Sequence, residues 1–156
     1  MNDTEELKQK FWQALASSPF LFLHRDSKPD GAVPMTAQLD EDANGAIWFF
    51  TSRQNDLAAG GPATAMFASK DNQLFARFKG VLSEETSRER LDKQWSPIIE
   101  AWFPGGKDDP ELLLLRMDLG GAELWNSDLG FVDNVKMLLG FDTRSDAERE
   151  HAKTTL

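Results

Sequence analysis

Apolar positions along the chain fall first at helical and then at strand spacing. Over residues 2–16, Leu7, Phe11, Ala14 and Leu15 share one helical face, behind an Asp3/Glu6 pair with the three-residue spacing of a capping box. Pro19 stops this helix, and the apolar run 20–24 suits a buried strand. Pro29-Asp30-Gly31 marks a turn, with φ fixed at proline and permissive at glycine. The chain then enters VPMTAQLDEDANGAIWFFTS, residues 33–52, which reads as two strands, 33–39 and 46–52, joined by an acidic turn at 40–45. The first carries proline, threonine and glutamine where a plain core strand would hold valines. The second is aromatic and ends in the hydroxyls of Thr51 and Ser52. Backbone edges, aromatic walls and hydroxyls at one place are what a small-molecule pocket needs.

Residues 53–59 have room for one or two helical turns before Gly60-Gly61-Pro62 ends them. A strand over 63–69, a tight turn at Lys70-Asp71-Asn72 and the longest strand, 74–83, follow. In that strand Leu74, Ala76, Phe78 and Gly80 alternate with Phe75, Arg77, Lys79 and Val81, the mark of a half-buried sheet. A charged helix over 86–95 is broken or kinked at Pro97, and an apolar piece, 98–103, leads into a long loop at 104–110. Residues 112–119 and 122–126 read as a closing hairpin across Gly120-Gly121, and 132–139 as a short helix ended by Gly140. The polar tail 143–156 stands apart from a domain at 1–142. Short connections between strands argue for antiparallel meanders rather than βαβ units. The expected fold is mainly β: a small antiparallel barrel of six or seven strands flanked by helices.

Charge and composition narrow the function. A formal net charge of −9 over 156 residues repels phosphate backbones, so nucleic acid is a poor partner. No run is long and apolar enough to span a bilayer, and MNDTEELKQK is too acidic for a signal peptide. The absence of cysteine removes thiol catalysis and thiolate metal sites and suits the cytoplasm. The histidines, His24 and His151, lack carboxylate partners at ligand spacing, so no metal site is expected. Of the five tryptophans and eleven phenylalanines, with no tyrosine beside them, most belong to the core and some are available for a ligand wall or a subunit interface. Pro34 is the most informative single residue. It cannot donate to a ladder, so it marks an edge, a strand start or a bulge, and it leaves the backbone of Met35 and Thr36 able to face a ligand. Thr51 and Ser52 can hold a phosphate or a ring carbonyl, or cap the turn that follows. Lys70, beside Ser69, is either a cation for the same pocket or plain surface. Gly105-Gly106-Lys107 lacks the spacing of a phosphate loop.

Taken in order, PMTAQL (34–39), IWFFTS (47–52), MFASKDNQLFARFKGVLS (66–83), WSPIIEAWFPGGKDDPELLLLRMD (95–118) and AELW (122–125) resemble the FMN-binding split barrels related to pyridoxamine phosphate oxidase, and most closely the bacterial general stress proteins. The resemblance implies a six-stranded split barrel forming a homodimer, with FMN in clefts between the subunits. Carried over, Met35, Thr36, Ala37 and Gln38 lie along the flavin ring, and Phe50, Thr51 and Ser52 contact the ring edge, ribityl chain or phosphate. Ser69 and Lys70 stand near the phosphate, and Trp125 approaches from the second subunit. The chain departs from the pattern at Val33, where many relatives have arginine, and at Asn55 and Asp56, where many have lysine. Either Arg53, Lys70 or Arg77 then offsets the phosphate charge, or the affinity for FMN is reduced. The family holds oxidases and reductases as well as proteins that only bind flavin, so an FMN-dependent oxidoreductase is one expectation. A flavin-independent ligand-binding or interaction module on the same barrel is the other.

Overall fold

The computed structural model describes residues 3–43, 45–127 and 133–140. Helix α1 (Asp3–Ser17) precedes β1 (Phe20–Arg25) and β2 (Val33–Thr36), and β3 (Ala46–Ser52) follows the acidic turn. Next come β4 (Gly61–Ala68), β5 (Leu74–Glu84), α2 (Arg88–Gln94), α3 (Pro97–Trp102), β6 (Leu112–Asn126) and β7 (Asp133–Leu138). The strands form one antiparallel sheet in the order β2-β1-β4-β5-β6-β3, with β7 added beside β6. The sheet curls until its end strands touch through one isolated bridge, Gln38 to Trp48. This is a split barrel, closed at one point of the seam and open along the rest.

Alternation explains which faces are buried. In β5, Leu74, Ala76 and Phe78 point inward while Phe75, Arg77 and Lys79 are exposed. Strand β3 is buried on both faces. Ile47 and Phe49 join the barrel core, while Trp48 and Phe50 pack in a second cluster with Ile99 and Phe103. Helix α1 lays Leu7, Phe11 and Leu15 on the barrel core. Phe11 meets Phe67 and Phe78 edge-on, with ring centroids 6.0 and 5.4 Å away, a favoured aromatic geometry. The expected start at Asn2 lies outside the described residues, as does the tail from 143.

Three expectations are corrected. First, the strand expected over 33–39 is shorter. Strand β2 ends at Thr36 and pairs with β1, whereas β3 pairs with β6. Second, 112–126 is one strand. Gly120 and Gly121 are absent from the positive-φ glycines, so they stay extended instead of adopting the primed turn a two-residue hairpin needs. A strand this long is held by several partners: β3 along its first half, β5 along most of it apart from a register shift at Gly120-Gly121, and β7 beside its end. Third, the described part of 132–139 is strand β7. Met137 and Leu139 are buried and Val135 packs on the same core, which is a period of two. Of the two outcomes expected at Pro97, the break is the one found: it opens α3 at its first turn, where the missing N–H costs nothing.

Candidate functional site

The seam defines the site. Ala37 N–H donates to the Pro19 carbonyl across 2.7 Å, so odd-numbered residues of β2 turn their backbone groups toward β1. Even-numbered ones face β3, as the paired bonds from Gln38 N–H to Trp48 O (2.7 Å) and Trp48 N–H to Gln38 O (3.0 Å) demonstrate. Pro34 therefore lacks its N–H on the edge that faces β3. By the same alternation Met35 is tied to Leu21 of β1, and the backbone edge presented to the opening is that of Thr36. On β3, Arg53 N–H bonds the Glu111 carbonyl, so Phe50 and Ser52 turn their backbone groups toward β2. The seam thus closes at Gln38 and Trp48 and gapes toward Pro34 and Ser52.

A groove of about 170 Å³ occupies the gap, with Met35, Thr36, Gln38 and Phe50 along its two edges. Phe20 and Pro34 extend one rim, and Ile99 and Trp102 of α3 supply an apolar wall. No lining side chain carries a charge. Ala37 lies behind the groove, buried at 4% exposure. Such a slot, apolar on its faces and polar along a backbone edge, suits a flat heteroaromatic ring.

Beyond its open end stand the last residues of β3. Thr51 is buried on the inner face, and among the described residues its hydroxyl has no hydrogen-bond partner, an arrangement that calls for an explanation. The Ser52 hydroxyl accepts from Gln54 N–H at 3.0 Å and donates to Glu111 at 3.3 Å. Asn55 caps the short 3-10 turn Asp56–Ala59 by accepting from Leu57 N–H. Arg53 is clasped by Glu84 through two bonds of 3.2 and 2.8 Å. That pairing raises the guanidinium pKa and lowers the Glu84 pKa.

The remaining expected residues sit elsewhere. Phe22 pairs with both Pro34 and Met66, so Lys70 falls level with the closed, Gln38 end of the groove and is separated from it by β1. Ser69 is buried and shapes its turn, donating to Asp71 at 2.7 Å and accepting from Leu74 N–H at 3.0 Å. Trp125 pairs with Phe75, and the Arg77 guanidinium lies 5.4 Å from its ring centroid. Within one chain, then, Met35, Thr36, Gln38 and Phe50 converge, while Ser69, Lys70 and Trp125 do not join them. Ile99 and Trp102 were not expected at the groove. The apolar run 98–103 was a signal that α3 covers something, but not of what it covers.

An antiparallel barrel with a groove in its seam defines the class. The chain matches the family described as "Pyridoxamine 5'-phosphate oxidase like" over residues 6–143, and it belongs to that family. Among solved structures, a general stress family protein from Xanthomonas campestris pv. campestris is 44% identical, with a TM-score of 0.75, covering 90% of this chain and 100% of the other. The general stress FMN/FAD binding protein from Xanthomonas citri is 43% identical, with a TM-score of 0.74 and coverage of 87% and 99%. A general stress protein 26 from Jannaschia sp. CCS1 is 28% identical, with a TM-score of 0.73 and coverage of 88% and 99%. No curated protein matches the chain.

Proposed function

We propose that this chain is an FMN-binding protein of the general stress type that works as a homodimer. The observation that carries the reading is the open seam, where the backbone edges of Thr36 and Phe50 face an uncharged slot. Flavin rings carry donors and acceptors along one edge and apolar faces, and the slot offers the complement of both. Because the seam is shut at Gln38 and Trp48, the ribityl phosphate would leave through the open end, toward Thr51, Ser52 and Arg53. The 43% identical Xanthomonas citri protein is itself named as an FMN/FAD binder.

The homodimer is supported by the outer face beside the groove, which exposes Phe20, Phe22, Met66 and Phe75. In a dimer through this face, Lys70 and Trp125 would serve the groove of the second subunit. Any oxidoreductase step is the flavin's own chemistry. The residues at the slot would bind and orient the ring, since neither Thr36 nor Gln38 titrates near neutral pH. No described helix is long and apolar enough to cross a membrane, and we place the protein in the bacterial cytoplasm.

Titration of the purified protein with FMN, followed by the flavin spectrum, tests the reading. We expect a dissociation constant in the micromolar range, and no binding at tens of micromolar, about −6 kcal/mol, would overturn it. One observation favours a second reading, a flavin-independent binding module. Glu84 and Glu111 crowd the open end and Arg53 is already engaged. On that reading Thr51→Ala and Lys70→Ala leave every ligand affinity unchanged, whereas about a tenfold loss of FMN affinity excludes it.

A further inference from the structure

One wall of the groove, Ile99 and Trp102, is carried by a pair of helices that cannot hold themselves. Helices α2 and α3 have 7 and 6 residues, well short of the length at which a helix persists alone in water. The caps at Ser87 and Ser96 fix their ends but not their place on the barrel. An apolar cluster that also takes Leu91 and Trp95 lies under them, and Arg88–Asp108 and Lys107–Asp92 pairs join α2 to the loop after α3; what ties the pair to the turn after β2 is one carboxylate. The Asp40 side chain is 4% exposed and accepts hydrogen bonds from Arg90 and Lys93. It also accepts from the backbone N–H of Asp42 at 2.9 Å. Arg90 then lies over the fully buried Trp48 ring, 4.0 Å from its centroid. The Trp48 indole N–H donates to Glu85 at 2.9 Å, and Arg116 lies 5.5 Å from the same ring.

Asp40 follows Gln38 by two residues, and Gln38 is the residue that closes the seam against Trp48. One carboxylate therefore ties the turn leaving the β2 wall to the helix pair that carries the opposite wall. We propose that Asp40 is a positioning residue, holding α2 and α3 against the barrel so that Ile99 and Trp102 form the second wall of the groove. The other charges around it are Arg90 and Lys93 from α2, Asp42 from its own turn, Glu85 after β5 and Arg116 of β6. The inference deepens the flavin reading and rests on it only for the ligand arm of its test.

The test compares wild type with Asp40→Asn by hydrogen exchange and by riboflavin titration, a probe without phosphate. In the variant, amides over 88–102 should exchange at least about tenfold faster while those of β4 and β5 keep their protection, the pattern of local opening. Riboflavin affinity should fall by about fivefold or more, through loss of a preformed wall. Unchanged exchange over 88–102 overturns the proposal, and so does loosened exchange with unchanged riboflavin affinity. If Asp40→Asn does not fold, Lys93→Met removes the more exposed of the two cations and should show the same two changes in smaller measure; no change in either overturns the proposal equally. Should wild type bind neither riboflavin nor FMN, the flavin reading fails by itself, and the exchange comparison still decides whether Asp40 holds the helices.

Discussion

Arg53 directly follows the hydroxyls that end β3, and Glu84 holds its guanidinium with two hydrogen bonds. Each side chain is 45% exposed, so the pair is screened and contributes little to stability. Its consequence is for the ligand. A phosphate arriving at the open end must take Arg53 from Glu84 and tolerate Glu111 beside Ser52. Glu84→Gln frees the guanidinium without removing its bulk, and we expect FMN to bind about three- to tenfold more tightly, with riboflavin unchanged. Arg53→Ala should do the reverse, weakening FMN and sparing riboflavin. Equal shifts for both flavins, measured by fluorescence titration, would place the phosphate elsewhere. Asp40 has a pH signature of its own. Hydrogen bonds from Lys93 and then Arg90 hold its carboxyl well below the usual aspartate range, so the folded state favours the ionised form. Its contribution to stability is full above about pH 4, the ordinary aspartate value, and declines as pH falls further toward the depressed folded value. The stability gap between wild type and Asp40→Asn should therefore be widest near neutral pH and narrow on acidification, as read by urea unfolding at pH 7 and about pH 3.

At the level of elements, glycines separate what local sequence can reveal from what it cannot. The alternation of β5 was legible because each residue reports its own face. Gly120-Gly121 was not, since two glycines permit a turn without requiring one; the ladder to β5 steps past them, and pairing with β7 and Leu139 keeps the strand running. The difference can be measured. A Cβ at Gly120 would meet nothing nearer than the Lys79 carbonyl oxygen at 3.6 Å, so Gly120→Ala should change stability by no more than about 0.5 kcal/mol. At Gly80, beside the register shift where Gly120 and Gly121 of β6 stand opposite Lys79, a Cβ would stand 2.5 Å from the Asp118 carbonyl oxygen and 2.9 Å from Met117. Gly80→Ala should cost on the order of 1–3 kcal/mol, with denaturant midpoints as the readout. A turn at 120–121 with positive φ would have reversed this ranking. The site was legible to the same degree. Met35, Thr36, Gln38 and Phe50 lie on two strands whose character the sequence shows. Ile99 and Trp102 reach the groove only because Asp40 and the Trp48 cluster dock two short helices there, and that docking is a tertiary event no local pattern encodes. Thr36 rather than Met35 offers the free backbone edge for a similar reason, since the choice depends on which neighbour each residue of β2 pairs with.

For the whole molecule, the outer face beside the groove decides whether one chain suffices. Rows set by the pairing of β2, β1 and β4 place Phe22 next to Pro34 and Met66, and Phe75 stands next to Trp125 on β5 and β6. Phe20, Phe22, Met66 and Phe75 are 64%, 52%, 43% and 41% exposed, a grouping that a monomer with net charge −9 has no reason to leave in water. Phe20 belongs both to this face and to the groove, so covering the face also covers one rim of the site. Light scattering should therefore give twice the 17.5 kDa of the chain. Phe22→Asp together with Met66→Asp should bring the mass to that of one chain, because two carboxylates at the centre of a buried apolar face would lack partners. The same variant should keep its fold, since both side chains point away from the core, and it should bind FMN at least about tenfold more weakly as the groove loses its neighbour. A wild-type protein that runs as a monomer and still binds FMN tightly would show that the site is complete within one chain, and would leave Lys70 and Trp125 without a part in it.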